Sequence, residues 1–337
     1  PFKAGGPLPI GGGTSDLSHA LARSLRKNPS SGACGLDIDG RFVAAAQVAG
    51  GRLTTAASAE LPPGALADGE VGDRAALSGA LREFAAAHKL PRRVRIGVAN
   101  QQIVVRMLDL PRIEDEAERS AALRYSAEDA IAMPLDEAIV DHQVAGYSRD
   151  GDGERMQVLV VAARRAMIEE YVAAVRDAGL KPDGVDLDAF ALVRALAPPQ
   201  DPAAAPEPEG ALPRDARVYC HLGGVSNLAI ALDDTCLFTR TLATPFDAEG
   251  AAPAVADEIR MSIDYYMGQP GARPVGDVVL TGEGAGDGAF VADVGAQLTL
   301  PVTAGAPLGA LDGGPAPDDG RPYRYTVAAG LALGAAA

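Results

Sequence analysis

The feature that most constrains this chain is a pattern that occurs twice. Gly32–Gly40 (GACGLDIDG) reads as an apolar strand ending in a small-residue turn, and Phe42 to Val48, a Gly50-Gly51 turn and Leu53 to Leu61 then read as a hairpin. Arg217–Gly224 (RVYCHLGG) repeats the strand and turn, while Asn227 to Leu232, an Asp233-Asp234 turn and Cys236 to Thr244 repeat the hairpin. Turn-forming pairs between β-prone runs are hairpin signals. Asp37 precedes its hairpin turn by nearly the same interval as His221 precedes its own, which an internal duplication explains economically. The expectation is two related α/β halves facing each other across a cleft.

After each hairpin the pattern changes to helical period. In the first half, helices are expected at Arg74 to His88, Asp115 to Ala132, Met167 to Ala178 and Ala189 to Leu196. Strands are expected at Arg95 to Ala99, Ile103 to Leu110, Ile139 to Tyr147, Met156 to Ala163 and Val185 to Leu187. In the second half, Glu249 to Met267, Ala289 to Leu298 and Tyr323 to Ala335 read as helices, with a strand at Val278 to Leu280. Strands alternating with helices point to mixed sheets covered by helices. Residues 198–213, built of Pro, Ala and Glu with almost no large apolar side chain, read as a linker or surface loop. They divide a first lobe, 32–197, from a second, 214–337. Residues 1–31 read as a flexible arm holding one short amphipathic stretch, Asp16 to Lys27, with Leu17, Leu21 and Leu25 four apart.

Composition narrows the class. At 337 residues the chain exceeds what one core organises, and 47% apolar residues suffice for two. Aromatics make up only 4% and tryptophan none, so the cores must be built from Val, Leu, Ile and Ala. A net charge of −15 disfavours nucleic-acid binding, which needs a basic face. The three distant cysteines make neither a disulfide framework nor a zinc site, which suits a reducing compartment. The four histidines lack HxH or HExxH spacing, and no nucleophile triad is legible. No run approaches the roughly 18 apolar residues of a membrane span. The start has neither a signal core nor a methionine, so a trimmed or processed cytoplasmic chain is expected, reaching membranes only through partners.

Three glycine-bearing turns follow buried strands: Asp37-Ile-Asp-Gly40, His221-Leu-Gly-Gly224 and Gly282-Glu-Gly-Ala285. Glycine lets backbone N–H groups approach phosphate oxygens, because it has no Cβ and reaches positive φ. Two such turns, one from each half, are suited to gripping a phosphate tail.

These turns resemble the first phosphate loop, the second phosphate loop and the adenosine loop of the actin-like ATPase superfamily. Further stretches resemble the PilM family of type IV pilus assembly proteins in particular: Pro134-Leu-Asp-Glu137 with Asp141-His-Gln-Val144, Val160-Val-Ala-Ala163, Ala178-Gly-Leu-Lys-Pro182, Val185 to Leu192 and Glu258 to Tyr265. The likeness covers about residues 32–197 and 217–334. It implies a duplicated two-lobe actin-like (ribonuclease H-like) α/β fold, with a subdomain inserted in the first lobe at about 102–150. It also implies nucleotide contacts from Asp37, Asp39, Gly40, Gly223, Gly224, Glu258, Gly282, Glu283 and Gly284, with Asp37 toward magnesium. By resemblance, Glu258 lies on a helix flanking the adenosine pocket.

The departures from that pattern bear on function. Asp39 stands where the family usually has glycine, Ala44 near an expected lysine, His221 in place of an aspartate, and Glu283 in place of a central glycine. Like charges near contact repel by about 1 kcal/mol even in water, and more in a cleft. An imidazole is not the hard oxygen ligand that magnesium prefers. ATP and magnesium binding are therefore expected to be weak or lost through Asp39 and His221, with no significant turnover. The resemblance implies a cytoplasmic scaffold binding the N-terminal cytoplasmic peptide of a PilN-like inner-membrane assembly protein. Two alternatives stay open: an actin-like ATPase whose cycle opens and closes the cleft, and an FtsA-like cell-division relative.

Overall fold

The computed structural model describes residues 33–150, 153–197, 214–307 and 320–336. The expected arm at 1–31 and the linker at 198–213 lie outside these residues. In the first lobe, β1 (Ala33–Ile38), β2 (Phe42–Ala49) and β3 (Arg52–Glu60) form an antiparallel meander, and β6 (Arg93–Val98) and β10 (Lys181–Leu187) add in parallel beyond β1. The sheet order is β10-β6-β1-β2-β3. Between β3 and β6 lie the two-residue strands β4 (Leu66–Ala67) and β5 (Glu70–Val71), then helix α1 (Arg74–Ala87). The Asp73 carboxylate starts α1 by accepting the Ala76 N–H at 2.9 Å.

The second lobe repeats this plan. The strands β11 (Ala216–Leu222), β12 (Asn227–Leu232) and β13 (Thr235–Thr241) form the meander, with β14 (Val275–Gly282) and β15 (Val302–Ala304) parallel beyond β11. The order β13-β12-β11-β14-β15 matches the first sheet strand for strand, so the duplication expected from sequence is present in the topology. Helices α5 (Ala251–Met267) and α6 (Gly288–Gln297) cover one face. Pro253 is tolerated in the first turn of α5, where its missing N–H has no helical partner to lose.

Between β6 and β10 the chain builds a separate three-stranded sheet, order β7-β9-β8, from β7 (Val104–Pro111), β8 (Ala138–Asp150) and β9 (Gly153–Arg164). Helix α2 (Glu116–Ala130) closes its outer face, burying Leu123 and Ala127 in one cluster with Val140, Met156, Val158 and Val160. The inserted unit therefore runs to Arg164, beyond the boundary near 150 expected from sequence. Its central strand β9 pairs on both sides, so an insertion ending at 150 would leave β7 and β8 without the strand that joins them. Helix α3 (Arg165–Asp177) then returns to the first-lobe core through Met167, Ile168, Tyr171 and Val175.

Two helices stand between the lobes. Helix α4 (Asp188–Leu196) lies on the second sheet, burying Leu192 and Val193 against Tyr219, Ala229 and Val279. Helix α7 (Thr326–Ala336) lies on the first, burying Ala328, Ala329 and Ala332 against Phe42, Ala44 and Val48. The two helices also pack on each other. A Cβ at Gly35 would fall 2.0 Å from the Ala328 carbonyl, and one at Gly330 would fall 1.9 Å from the Ala191 carbonyl. The alanine and glycine content of the closing helix follows from this double packing, since larger side chains would force the sheets apart.

Candidate functional site

The turns at the ends of β1, β11 and β14 meet where the two lobes face each other. Asp37 and Asp39 are almost fully buried, as are Asp188 at the start of α4 and His221 at the end of β11. Gly40 takes φ +104°, a conformation that lets the chain reverse between β1 and β2.

Asp39 reaches across to the second lobe. Its Oδ1 accepts the Gly224 N–H at 2.6 Å, and its Oδ2 lies 2.9 Å from His221 Nε2, which donates in the tautomer that carries its proton there. The opposite ring nitrogen, Nδ1, has no hydrogen-bond partner. A Cβ at Gly223 would fall 2.0 Å from Asp39 Oδ2, so the second loop closes round this carboxylate.

Asp37 and Asp188 lie behind the clasp. Burial pushes the Asp37 carboxyl well above the ordinary carboxylate range, with Asp188 and then Asp39 adding to the shift. Burial raises Asp188 to about 7; His221 opposes this, and Asp39 and Asp186 add to it. Asp37 Oδ2 and Asp188 Oδ1 lack hydrogen-bond partners. The nearby Asp186 is engaged elsewhere: it pairs with Arg194 and with Arg95 at 3.5 Å. Among the described residues no three His, Cys, Asp or Glu side chains are grouped closely enough to hold a metal ion. Ala44, near the expected lysine, is the cross-strand partner of Asp37 and is buried under α7.

The third turn is bound up in charge. Glu283 accepts from Arg324 at 2.7 Å and from Arg321 at 3.1 Å, with Arg41 at 3.9 Å. Arg324 is buried, lies 4.3 Å from the centroid of the Phe42 ring, and also pairs with Glu60 at 3.1 Å. Arg41, next to Gly40, pairs with Asp247 and lies over the Phe246 ring. Gly282, at φ +82°, ends β14, and Gly284 sits so close to Phe246 that a Cβ would approach its ring to 2.7 Å.

The structure thus brings Asp37, Asp39, Gly40, Gly223 and Gly224 together, with Gly282, Glu283 and Gly284 on the neighbouring turn. Glu258 is differently engaged: its carboxylate accepts the N–H groups of Ala243 and Thr244 at 2.9 and 2.7 Å and the Thr244 hydroxyl, so it fastens the segment after β13. Sequence reasoning passed over Arg41, Arg324 and Asp247. Only the acidic replacement at Glu283 signalled that a cation must lie nearby.

These features define a two-lobe actin-like protein: duplicated sheets, three loops converging between them and a subdomain inserted in the first lobe. The family described as type IV pilus assembly protein PilM matches residues 35–203, half of the chain. The chain belongs to that family. A chain of the PilM–PilN type IV pilus biogenesis complex superposes with a TM-score of 0.74 at 23% identity, covering 92% of this chain and 100% of that one. The ethanolamine utilization protein EutJ from Carboxydothermus hydrogenoformans matches at a TM-score of 0.49 and 12% identity over 94% and 95% of the two chains; the family assignment does not rest on it.

Proposed function

We propose that this chain is a cytoplasmic actin-like scaffold of type IV pilus assembly, holding the N-terminal cytoplasmic peptide of a PilN-like inner-membrane protein, with a nucleotide site that is weak or lost. Family membership and the likeness to a PilM–PilN complex support the assembly role. Among the described residues no helix is long and apolar enough to cross a membrane, so a membrane-bound partner would supply the attachment in this reading.

One observation carries the nucleotide part: the Asp39 carboxylate already takes the Gly224 N–H. A phosphate placed there would lose that donor and meet a buried carboxylate, so the residues present do not fit the group well. Whatever nucleotide contact survives would come from the loop glycines, Gly40, Gly223, Gly224, Gly282 and Gly284, with Glu283 and Glu258 held in other bonds. Among the described residues the acids placed to serve a magnesium ion are Asp37 and Asp188, and burial raises both carboxyls, which works against the charged form that a cation needs.

The peptide site is proposed on the inner face of the inserted sheet. Side chains alternate along a strand, so Ile139, Val105, Val161 and Ala163 share one face, and they pack into the first-lobe core. The next row on that face is Met107, Leu159 and Gln143, in cross-strand register. Capture of an extended peptide needs main-chain partners and side-chain pockets, which such a row would help to line, and no catalytic residue. The test is fluorescence anisotropy of the labelled partner peptide with and without Mg-ATP. The reading expects saturable binding, equal in both conditions. No binding to folded protein at high micromolar concentration would overturn the scaffold. Micromolar ATP affinity or phosphate release would overturn the lost site.

A further inference from the structure

The ties between the lobes at the first turn are unequal. The Arg41–Asp247 pair is two-fifths exposed on each side, so salt screens it and its contribution is small. The two bonds of Asp39 are shielded from water, with Asp39 and His221 at 4% and 1% exposure. Charge-assisted hydrogen bonds in such surroundings are short and strong. Asp39 belongs to the first lobe, and both of its partners to the second.

The partners have their own character. Gly224 gives its backbone N–H to the carboxylate, and neither Gly223 nor Gly224 carries a Cβ, which would fall 2.0 and 2.7 Å from the Asp39 carboxylate oxygens, so the loop leaves room for an anion. The anion found there is a side chain of the same protein. We infer that Asp39 is a resident anion: it occupies the second loop in place of a phosphate, and it is the principal contact closing the first turn on that loop, beside the packing of α4 on α7 and the pair that buried Arg324 makes with Glu60. Closure is then built into the chain and does not wait for a ligand. The loop retains an anion affinity that Asp39 suppresses by occupying it. This inference rests on the weak-or-lost nucleotide site proposed above, but not on the peptide partner.

The experiment compares wild type, Asp39→Ala and Asp39→Asn in the full chain. Amide exchange is read at residues 221–224, and inorganic phosphate and Mg-ATP are titrated separately. Asp39→Ala should exchange Gly224 at least tenfold faster. It should bind phosphate or Mg-ATP at least tenfold more tightly than wild type, with an increased distance between spin labels placed on the two lobes. Asp39→Asn keeps an acceptor at Oδ1, so Gly224 should stay protected and the lobes closed. Unchanged exchange and interlobe distance in a folded Asp39→Ala would overturn the inference, as would tighter anion binding by wild type than by the variant. Failure of the partner peptide to bind would refute the scaffold reading and leave this inference standing.

Discussion

Replacing Gly330 with alanine tests whether the interlobe helices are pressed together as described. Alanine favours a helix interior over glycine by about 1 kcal/mol, so propensity alone predicts a more stable protein. The new Cβ would lie 1.9 Å from the Ala191 carbonyl oxygen and 2.5 Å from its carbon, where real Cβ contacts essentially never fall below 3.0 Å. The obstacle is the backbone of α4, which no rotamer change relieves. Separating the helices by about 1 Å disturbs both sheet contacts, and overpacking of this kind costs roughly 1–3 kcal/mol or more. Packing wins: Gly330→Ala should be destabilised by about 1–2 kcal/mol net, a fall in melting temperature of about 1–3 °C for a chain this long. Gly79→Ala in α1 is the control, because its Cβ meets nothing within 4 Å, and it should gain about 0.4–1 kcal/mol. Thermal and guanidinium unfolding of both variants beside wild type measures the two signs. If Gly330→Ala melts at or above wild type while Gly79→Ala rises, the reasoning about the interlobe packing fails.

Other expectations follow from single contacts. Glu258→Ala strands the Ala243 and Thr244 N–H groups and should cost about 2–4 kcal/mol by denaturant titration; a loss under 0.5 kcal/mol would contradict its fastening role. Burial raises the Asp141 carboxyl to about 6, so the folded state holds a proton there that the unfolded chain has released at the same pH. Stability from this group is full below pH 4 and is lost as pH rises through 6. Asp141→Asn should therefore raise the melting temperature at pH 7.5 relative to wild type and narrow the gap to about half at pH 5, and an equal difference at both pH values would refute it. Buried Cys34, Cys220 and Cys236 are all pushed up to about 12 by burial, so a thiol reagent at pH 8 should react only after unfolding, and a fast native-state phase would count against their placement. Half-buried Met107, changed to Glu, should weaken partner-peptide binding at least tenfold without lowering the melting temperature; unchanged binding would move the peptide site elsewhere.

Much of the fold was legible because the strand–turn–hairpin signature is local and occurs twice. The helices at 74–87 and 116–130 were readable for the same reason, since Asp73 and Asp115 cap them by contacts within three residues. Strand β15 was missed because three residues after Pro301 carry no period, and its pairing with β14 is set by tertiary contact. β10 was read too short: Pro182 and Gly184 suggest a break, but an edge strand tolerates the irregularity they cause. The insertion boundary failed at a hairpin turn, which looks the same whether it ends a unit or joins two of its strands. At the site, the substitutions at Asp39, His221 and Glu283 stood out in the sequence. That Asp39 and His221 bond to each other, and that Arg324 reaches Glu283 from the far end of the chain, depends on how the lobes close.

A crystal of the wild-type chain grown with millimolar ATP and magnesium tests the central claim most directly: a carboxylate of the protein fills the space where a nucleotide phosphate would need the second loop. The account predicts Asp39 bonded to Gly224 and His221, with the loops closed round it and no ordered nucleotide. An ordered triphosphate on Gly223 and Gly224, with Asp39 swung aside, would contradict it.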